Sequence, residues 1–498
     1  MPSVREFIKR LREMGELVEI EEEVDWNLEA AAFSTMSCRV GGPILWFKKI
    51  KGYPEGYTLL GEPWAGPVHQ IWRRLALAAG APPEANPFDL GAELLRRLYT
   101  GIPPTIVSNG LCKEHIQMGK EANLLKFPWP YLHHGDGGRY TTTGCWCMED
   151  PEERWNNWAN YRGMIHTRNG IGYDPTYGQQ GDIIMKKWHA RGEPMPVAYY
   201  VGADVLTFVG AAFRAPWGIW EAELIGGLRQ EPLELVKCET NNLYVPADAD
   251  IVIEGVIRPG ELWDEGPFGE YPGFIQGPRM PRPVVRVTAI THRKDPIIPF
   301  CVEGMFANSS KALGFAFGVE MWRRLRVYHD LPVVTAWGSP LGSSTWANLW
   351  ISILKTSPDV VGRAALAFQG SIPGLFRSFI VDATVNPSNT EDGMEEFSLN
   401  VHPGRDIRKI NAPAAHAIKY EPFLSIAEKK EALKKTVYFD CTSKLPNKRV
   451  DFERAFPREV QDWVERNWHG LGFEKPVSIT QEKRGEYVMR PVFKSMVD

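Results

Sequence analysis

Two carboxylates flank a short turn in Glu265-Gly266-Pro267-Phe268-Gly269-Glu270. Glycine and proline let such a segment fold back and aim both side chains at one cavity. When two carboxylates are held close together, one is pushed upward and becomes a proton donor near neutral pH. Glu261, Asp264 and Tyr271 crowd the same stretch. By composition alone this is a solvated acidic loop, the commoner outcome for such a run. The phenylalanine and proline inside the turn argue for a packed position instead.

Three further stretches carry chemistry. Asn157-Trp158-Ala159-Asn160-Tyr161-Arg162-Gly163 offers amides that coordinate hard cations and an arginine that clamps a carboxylate or phosphate. Taken alone, a strand edge with a surface arginine is the commoner reading. Glu221 follows the aromatic loop Phe213-Arg-Ala-Pro-Trp-Gly and stands where a helix starts, so it is a dipole partner or a ligand. Gln179 and Gln180 precede Gly181, either as a plain turn or as amides against a flavin edge or a metal. No GxGxxG, Walker loop, HExxH or GxSxG occurs, which removes the usual dinucleotide, zinc-protease and serine-hydrolase readings.

These groups need elements to hold them. Ser3 is placed to cap a first helix in which Val4, Phe7, Ile8 and Leu11 share a face. Gly15 ends it, and the chain then alternates into a strand. A second helix is predicted near Glu93–Leu98. From about residue 125, β-rich runs at Val197–Val201, Leu243–Val245, Ile251–Ile257 and Val284–Ile290 predict a barrel or sandwich, with a helix over Ile183–Ala190. From about residue 315, helices are predicted over Val319–Tyr328, Trp346–Leu354 and Pro358–Gln369. Strands at Leu331-Pro-Val-Val-Thr and Ser378-Phe-Ile-Val-Asp alternate with them, as in a second α/β domain. Pro457–Trp468 reads as a late amphipathic helix, and residues from Lys475 as an arm that packs on a neighbour.

The chain of 498 residues is 44% hydrophobic and 24% charged, which suits roughly two or three soluble domains. A net charge of −4 leaves no basic footprint for nucleic acid. Seven cysteines without a CxxC pair read as free thiols of a reducing cytosol. No apolar run is long enough to span a membrane and no signal-peptide core is seen, so a cytoplasmic protein is expected.

In their order and spacing the four chemical stretches resemble the UbiD family of prenylated-FMN-dependent decarboxylases. In that family Asn stands five residues before Arg, as Asn157 and Arg162 do. A Glu precedes a Leu-Glu-Leu-Val-Lys-Cys segment, as Glu221 precedes Leu233–Cys238, and Glu-Gly-Pro-Phe-Gly-Glu is matched letter for letter. The likeness runs from about residue 3 to about residue 470. It implies an α/β (α+β multidomain) fold: an N-terminal α/β domain over 1–122, a central split β-barrel for the flavin over 123–314, a C-terminal α/β oligomerisation domain over 315–474, and an arm over 475–498.

The resemblance also implies a function. It is reversible decarboxylation of an aromatic or α,β-unsaturated acid, aromatic acyl-CoA thioesters included. The family route is a covalent substrate–cofactor adduct, CO2 loss and protonation, here by Glu270. Arg162, Glu265 and Glu270 match the family's catalytic triad. Asn157, Gln180 and Glu221 match ligands of a divalent metal, commonly Mn2+, with K+ nearby. Trp158, Asn160, Tyr161, Arg162, Gln179, Phe213 and Asn400 match positions around the prenylated FMN. Gln180 stands where His is common, and Asn400 where a phosphate-site Lys is common, with His402, Arg405, Arg408 and Lys409 as nearby cations. A homodimer or larger homo-oligomer, up to a hexamer, is implied, with a flavin prenyltransferase supplying the cofactor. Cys301–Ser309, with Met305, Phe306 and Asn308, and the Trp217/Trp220 region are candidate substrate walls. The competing readings are a non-catalytic subunit of a multi-subunit carboxylase and an ordinary flavin oxidoreductase on a split barrel.

Overall fold

The first helix, Val4–Glu13, forms on the predicted face: Val4, Phe7, Ile8 and Leu11 are buried, and Ser3 Oγ accepts from Glu6 N at 3.2 Å. The strand Leu17–Val24 follows and pairs in parallel with Ile44–Ile50. Thr58–Gly61 and Ile297–Phe300 complete a four-stranded mixed sheet. A strand from much later in the chain thus closes the N-terminal sheet. The helix predicted near Glu93–Leu98 is longer, Pro87–Thr100, with the Asn86 side chain capping its first turn.

The computed structural model of the protein describes residues 3–67, 70–213, 215–276, 278–304, 307–338, 348–371, 377–385, 387–388, 390–411, 428, 435–444 and 452–473. Met305, Phe306 and the C-terminal arm lie outside them. The described residues up to Glu320 form one compact unit and those from Met321 on form another.

The first unit is dominated by a curled, nine-stranded antiparallel sheet, a half-barrel. Its spine is the long pair Ile251–Glu265 and Met280–His292. Met195–Val201, Cys145–Glu149 and Asn156–Ala159 extend it on one side; Gly170–Gly172, Gly163–Thr167 and Arg139–Thr141 extend it on the other. The helix Gln180–Ala190 is inserted among these strands, as expected. Fully buried aromatic residues fill a core on each face of the sheet: Trp129, Tyr140, Trp146, Tyr173 and Tyr199 in one, Trp158 and Tyr200 in the other. All seven cysteines are free and buried. Among the described residues no helix is long and apolar enough to cross a membrane.

The second unit is built on a five-stranded sheet. Asn348–Ile353, Arg377–Asp382 and Lys435–Asp440 run parallel at its centre, with Val333–Gly338 and Ile407–Asn411 antiparallel at the edges. Trp350, Phe379 and Phe439 stack across the three central strands, with centroids 4.4 and 4.7 Å apart. The sequence predicts a helix over Trp346–Leu354, and the structure has a strand over Asn348–Ile353. Leu349–Ile353 is an unbroken buried run in a central parallel strand, a pattern whose periodicity cannot separate helix from strand. The helix predicted from Val319 begins earlier, at Ser309, and its end at Arg324–Tyr328 widens to π form.

Trp146 sits at the centre of the half-barrel core. Its ring lies 4.4 Å from Tyr199 and 5.1 Å from Tyr173, and its Nε1 donates to Tyr161 O at 3.1 Å. Trp146→Ala is expected to cost about 3–5 kcal/mol, read as a lowered urea midpoint for the first unit.

Candidate active site

Glu265 is the last residue of the long strand Ile251–Glu265. The chain then reverses through Gly266, at φ +89°, and a cis Gly266–Pro267 bond. Two residues later Phe268–Gly269 pairs with Ile275–Gln276. Glu270 follows, with its N–H donating to Phe274 O at 2.9 Å and its carbonyl accepting from Gly273 N at 2.8 Å. The turn is braced from outside as well. Gly137 N donates to Pro267 O at 2.6 Å. Asp136 Oδ1 accepts from Gly269 N at 2.8 Å, while its Oδ2 takes His133 N and faces His133 Nδ1, each at 3.0 Å. Burial works to lower the His133 pKa, but Asp136 and Glu303 together outweigh it and the net shift is upward. Lys311 Nζ donates to Tyr271 O, and burial lowers its pKa.

Glu265 and Glu270 are each only 4% exposed, so the hexapeptide is not a solvated acidic loop. Both carboxylates meet Arg162, which stands between the strands Asn156–Ala159 and Gly163–Thr167. Arg162 Nε and Nη2 grip Glu265 bidentately at 2.9 and 3.0 Å, and Nη1 donates to Glu270 Oε1. Nη2 also lies 3.0 Å from Asp174 Oδ2, whose other oxygen is 2.8 Å from Arg282 Nε. Tyr140 OH donates to Glu265 Oε1 at 3.1 Å, and its pKa is raised by burial and by that carboxylate. The Arg162 guanidinium carbon sits 4.8 Å from the Phe268 ring centroid. Burial opposes the Arg162 charge, but Glu270, Asp174 and Glu265 together hold it firmly protonated.

A second polar cluster begins five residues earlier. Asn157 is buried in the strand that leads to Arg162, Glu221 is buried in the first turn of the helix Glu221–Arg229, and Gln180 opens the helix Gln180–Ala190. Asn157 Nδ2 donates to Gln180 Oε1 at 2.9 Å and to Glu221 Oε1 at 3.0 Å. Trp158 N donates to Glu221 Oε2 at 2.7 Å, and Gln180 Nε2 to Ala215 O at 3.1 Å. Burial raises the Glu221 carboxyl to about 8, against these hydrogen bonds. Asn157 Oδ1 is buried without a hydrogen-bond partner.

The two ends of an amide exchange places by a half-turn of the side chain. That turn sets Asn157 Oδ1 beside Gln180 Oε1 and Glu221 Oε1, at the 2.9 and 3.0 Å now spanned by Nδ2. Such spacings are the edge of an octahedron with metal–oxygen bonds of about 2.1 Å. The turn would also use the orphaned oxygen. Two amides and one carboxylate therefore fit a hard divalent cation. Among the described residues no group of three His, Cys, Asp or Glu forms a metal site.

Trp158 packs its ring against Tyr200 and Trp220, 5.1 and 6.1 Å away. Asn160 Oδ1 is buried without a partner, and Tyr161 stacks edge-on to Tyr173. Gln179 stands just before the helix that Gln180 opens and makes no side-chain capping bond, and Phe213 is buried just after the helix Val205–Ala212. Trp217 is exposed and bonds Glu153, whereas Asn308 is buried with its amide on Val302 O. Asn400 belongs to the second unit, where it donates to Glu396 Oε2 and to Cys441 O. There Arg405 pairs with Asp406, and His402, Arg408 and Lys409 are exposed. Tyr140, His133, Asp136 and Asp174 join the site with no motif in the sequence to mark them. Asp136 lies in a His-Gly-Asp-Gly-Gly run with the composition of a loop, and Asp174 is a single acid before Pro175.

Residues 8–94 match a family model described as the 3-octaprenyl-4-hydroxybenzoate carboxy-lyase N-terminal domain, named UbiD_N. Residues 105–306 match the UbiD model, described as the Rift-related domain of that carboxy-lyase. The chain is 29% identical over 490 residues to the pyrrole-2-carboxylic acid decarboxylase of Pseudomonas aeruginosa, covering 94% of this chain and 98% of that one. Among solved structures it resembles the vanillic acid decarboxylase of Sedimentibacter hydroxybenzoicus in closed form, with TM-score 0.82, 26% identity and coverage of 95% and 99%. It also resembles an evolved dimeric form of the UbiD-class enzyme HmfF of Pelotomaculum thermopropionicum in complex with prFMN, with TM-score 0.78, 27% identity and coverage of 91% and 97%.

Gly137 is where the bracing of the acidic turn has no slack. A Cβ there would stand 2.0 Å from Gly266 O and 2.5 Å from Gly266 C, backbone atoms that cannot swing aside. Gly137→Ala is expected to cost about 1–3 kcal/mol, measured as a lowered thermal or urea midpoint.

Proposed function

Because the chain belongs to the UbiD family and is a carboxy-lyase, we propose that it decarboxylates an aromatic or α,β-unsaturated acid with prenylated FMN as cofactor. The observation that carries this reading is the mostly buried Arg162 held among Glu265 and Glu270. Carboxylate recognition and proton delivery meet there within one side chain's reach. The relatives named for pyrrole-2-carboxylic acid and vanillic acid favour an aromatic acid. The intact arginine–carboxylate cluster speaks against a non-catalytic subunit.

Loss of CO2 leaves an electron pair on the substrate carbon, and the prenylated flavin supplies the electron sink for it. The chain's own residues do the rest. Arg162 pairs with the substrate carboxylate through Nη1, the nitrogen that meets Glu270, while Glu265 keeps the other edge of the guanidinium in place. An arriving carboxylate adds negative charge to a cluster already rich in it. Glu270, displaced from Nη1, passes a proton taken from solvent to the carbon after CO2 departs. Tyr140 and the apolar wall at Phe268 keep water from competing at Glu265. Asn157, Gln180 and Glu221 would hold a divalent metal such as Mn2+, with K+ as a further cation, and Asn160, Tyr161 and Arg162 would contact the flavin.

Co-expression with a flavin prenyltransferase, followed by absorbance and mass of the bound cofactor, tests the cofactor. An unmodified or absent flavin in an enzyme that still releases CO2 would refute it. A panel of aromatic and acrylic acids scored by CO2 release tests the substrate class. On the fastest acid, Glu270→Gln is expected to keep the flavin spectrum and lose turnover by about 10²–10⁴-fold. Full activity would remove Glu270 from its role. For the metal, Mn2+ is expected to raise the melting temperature of chelator-treated protein. Glu221→Gln should abolish that rise, and an undiminished rise would place the ion elsewhere.

A further inference from the structure

Arg162 has a third carboxylate neighbour that belongs to none of the stretches marking the site in the sequence. Asp174 Oδ2 is 3.0 Å from Arg162 Nη2, and Asp174 Oδ1 is 2.8 Å from Arg282 Nε. Asp174 thus links the mostly buried guanidinium to a second one that is 37% exposed.

Both ends of this link stand on stiff backbone. Asp174 precedes Pro175, and a residue before proline is confined to extended conformations. Arg282 stands between Pro281 and Pro283, in the long strand pair, opposite Trp263. Tyr173 N donates to Pro283 O at 2.9 Å, so the two backbones are joined one residue away from each charge. Little chain freedom is left to lose when the ion pair forms.

The geometry also separates the guanidinium nitrogens. Nε and Nη2 are taken by Glu265, Nη2 is shared with Asp174, and Nη1 meets Glu270. When a substrate carboxylate replaces Glu270 on Nη1, the opposite edge stays anchored to two carboxylates. We infer that Asp174, with Arg282, is a positioning residue that fixes the guanidinium plane of Arg162 and presents Nη1 to the substrate. This rests on the reading of Arg162 as the group that receives the substrate carboxylate. The Asp174 charge also weakens the pull of Arg162 on an incoming anion, and Arg282 offsets that charge.

The test uses the holoenzyme and the acid that releases CO2 fastest. Asp174→Asn removes the charge and keeps an oxygen; KM should fall about 2- to 10-fold, with a lower kcat. Arg282→Met leaves Asp174 without its counter-charge and should raise KM by a similar factor. In the Asp174→Asn background, Arg282→Met should change KM no further. Additive effects in the double variant would overturn the inference, since two independent surface charges would behave that way. A crystal structure of Asp174→Ala gives a separate decision. There the Arg162 guanidinium is expected to leave its bidentate plane on Glu265, and an unmoved Arg162 would overturn the inference whether or not any acid is turned over. A panel without CO2 release would instead count against the decarboxylase reading.

Discussion

A guanidinium charge that is largely withdrawn from water costs several kcal/mol unless carboxylates and hydrogen bonds replace its hydration. Arg162 is such a charge, and three carboxylates answer it. The relation is mutual, because Glu265, Glu270 and Asp174 would repel one another without it. The end of a long strand, a tight turn and the segment after Gly172 must therefore converge on one point. Much of the half-barrel's local structure follows from that demand: the paired turn strands, the Gly137 contact and the Asp136 brace each hold a carboxylate-bearing segment in place.

The second cluster obeys the opposite rule. Glu221 is buried with amide and backbone donors as its hydrogen-bond partners, and burial pushes its carboxyl up. A site of that kind gains from a cation, whereas the Arg162 site is already supplied with one. Both clusters hang on one short segment, since Asn157 lies in the strand Asn156–Ala159 and Arg162 just beyond it. Trp146 fixes that segment by its bond to Tyr161 O and by packing in the aromatic core. A ligand that orders one end therefore acts on backbone shared with the other.

Local chemistry was legible in the chain before any fold was known. The opening helix, its Ser3 cap and the long β-rich runs follow from residue type and short-range spacing, while Arg162, Glu265, Glu270, Asn157 and Glu221 are candidates that motif and family likeness single out. These features depend on neighbours within a few residues, and the sequence records those directly. The strand at Asn348–Ile353 escaped because its buried run Leu349–Ile353, apolar but for Ser352, has no alternation to reveal its geometry.

Tertiary structure alone decided the rest. It buried both glutamates of a hexapeptide whose composition favoured solvent, and it brought Arg162 to them across about a hundred residues of chain. It added Tyr140, Asp136 and Asp174, each of which reads as an ordinary polar residue in its local sequence. Burial, charge compensation and the sharing of guanidinium nitrogens are properties of distance in space. Spacing along the chain determines which groups are available, and only the folded half-barrel sets which of them meet in low dielectric, where those charges acquire their strength.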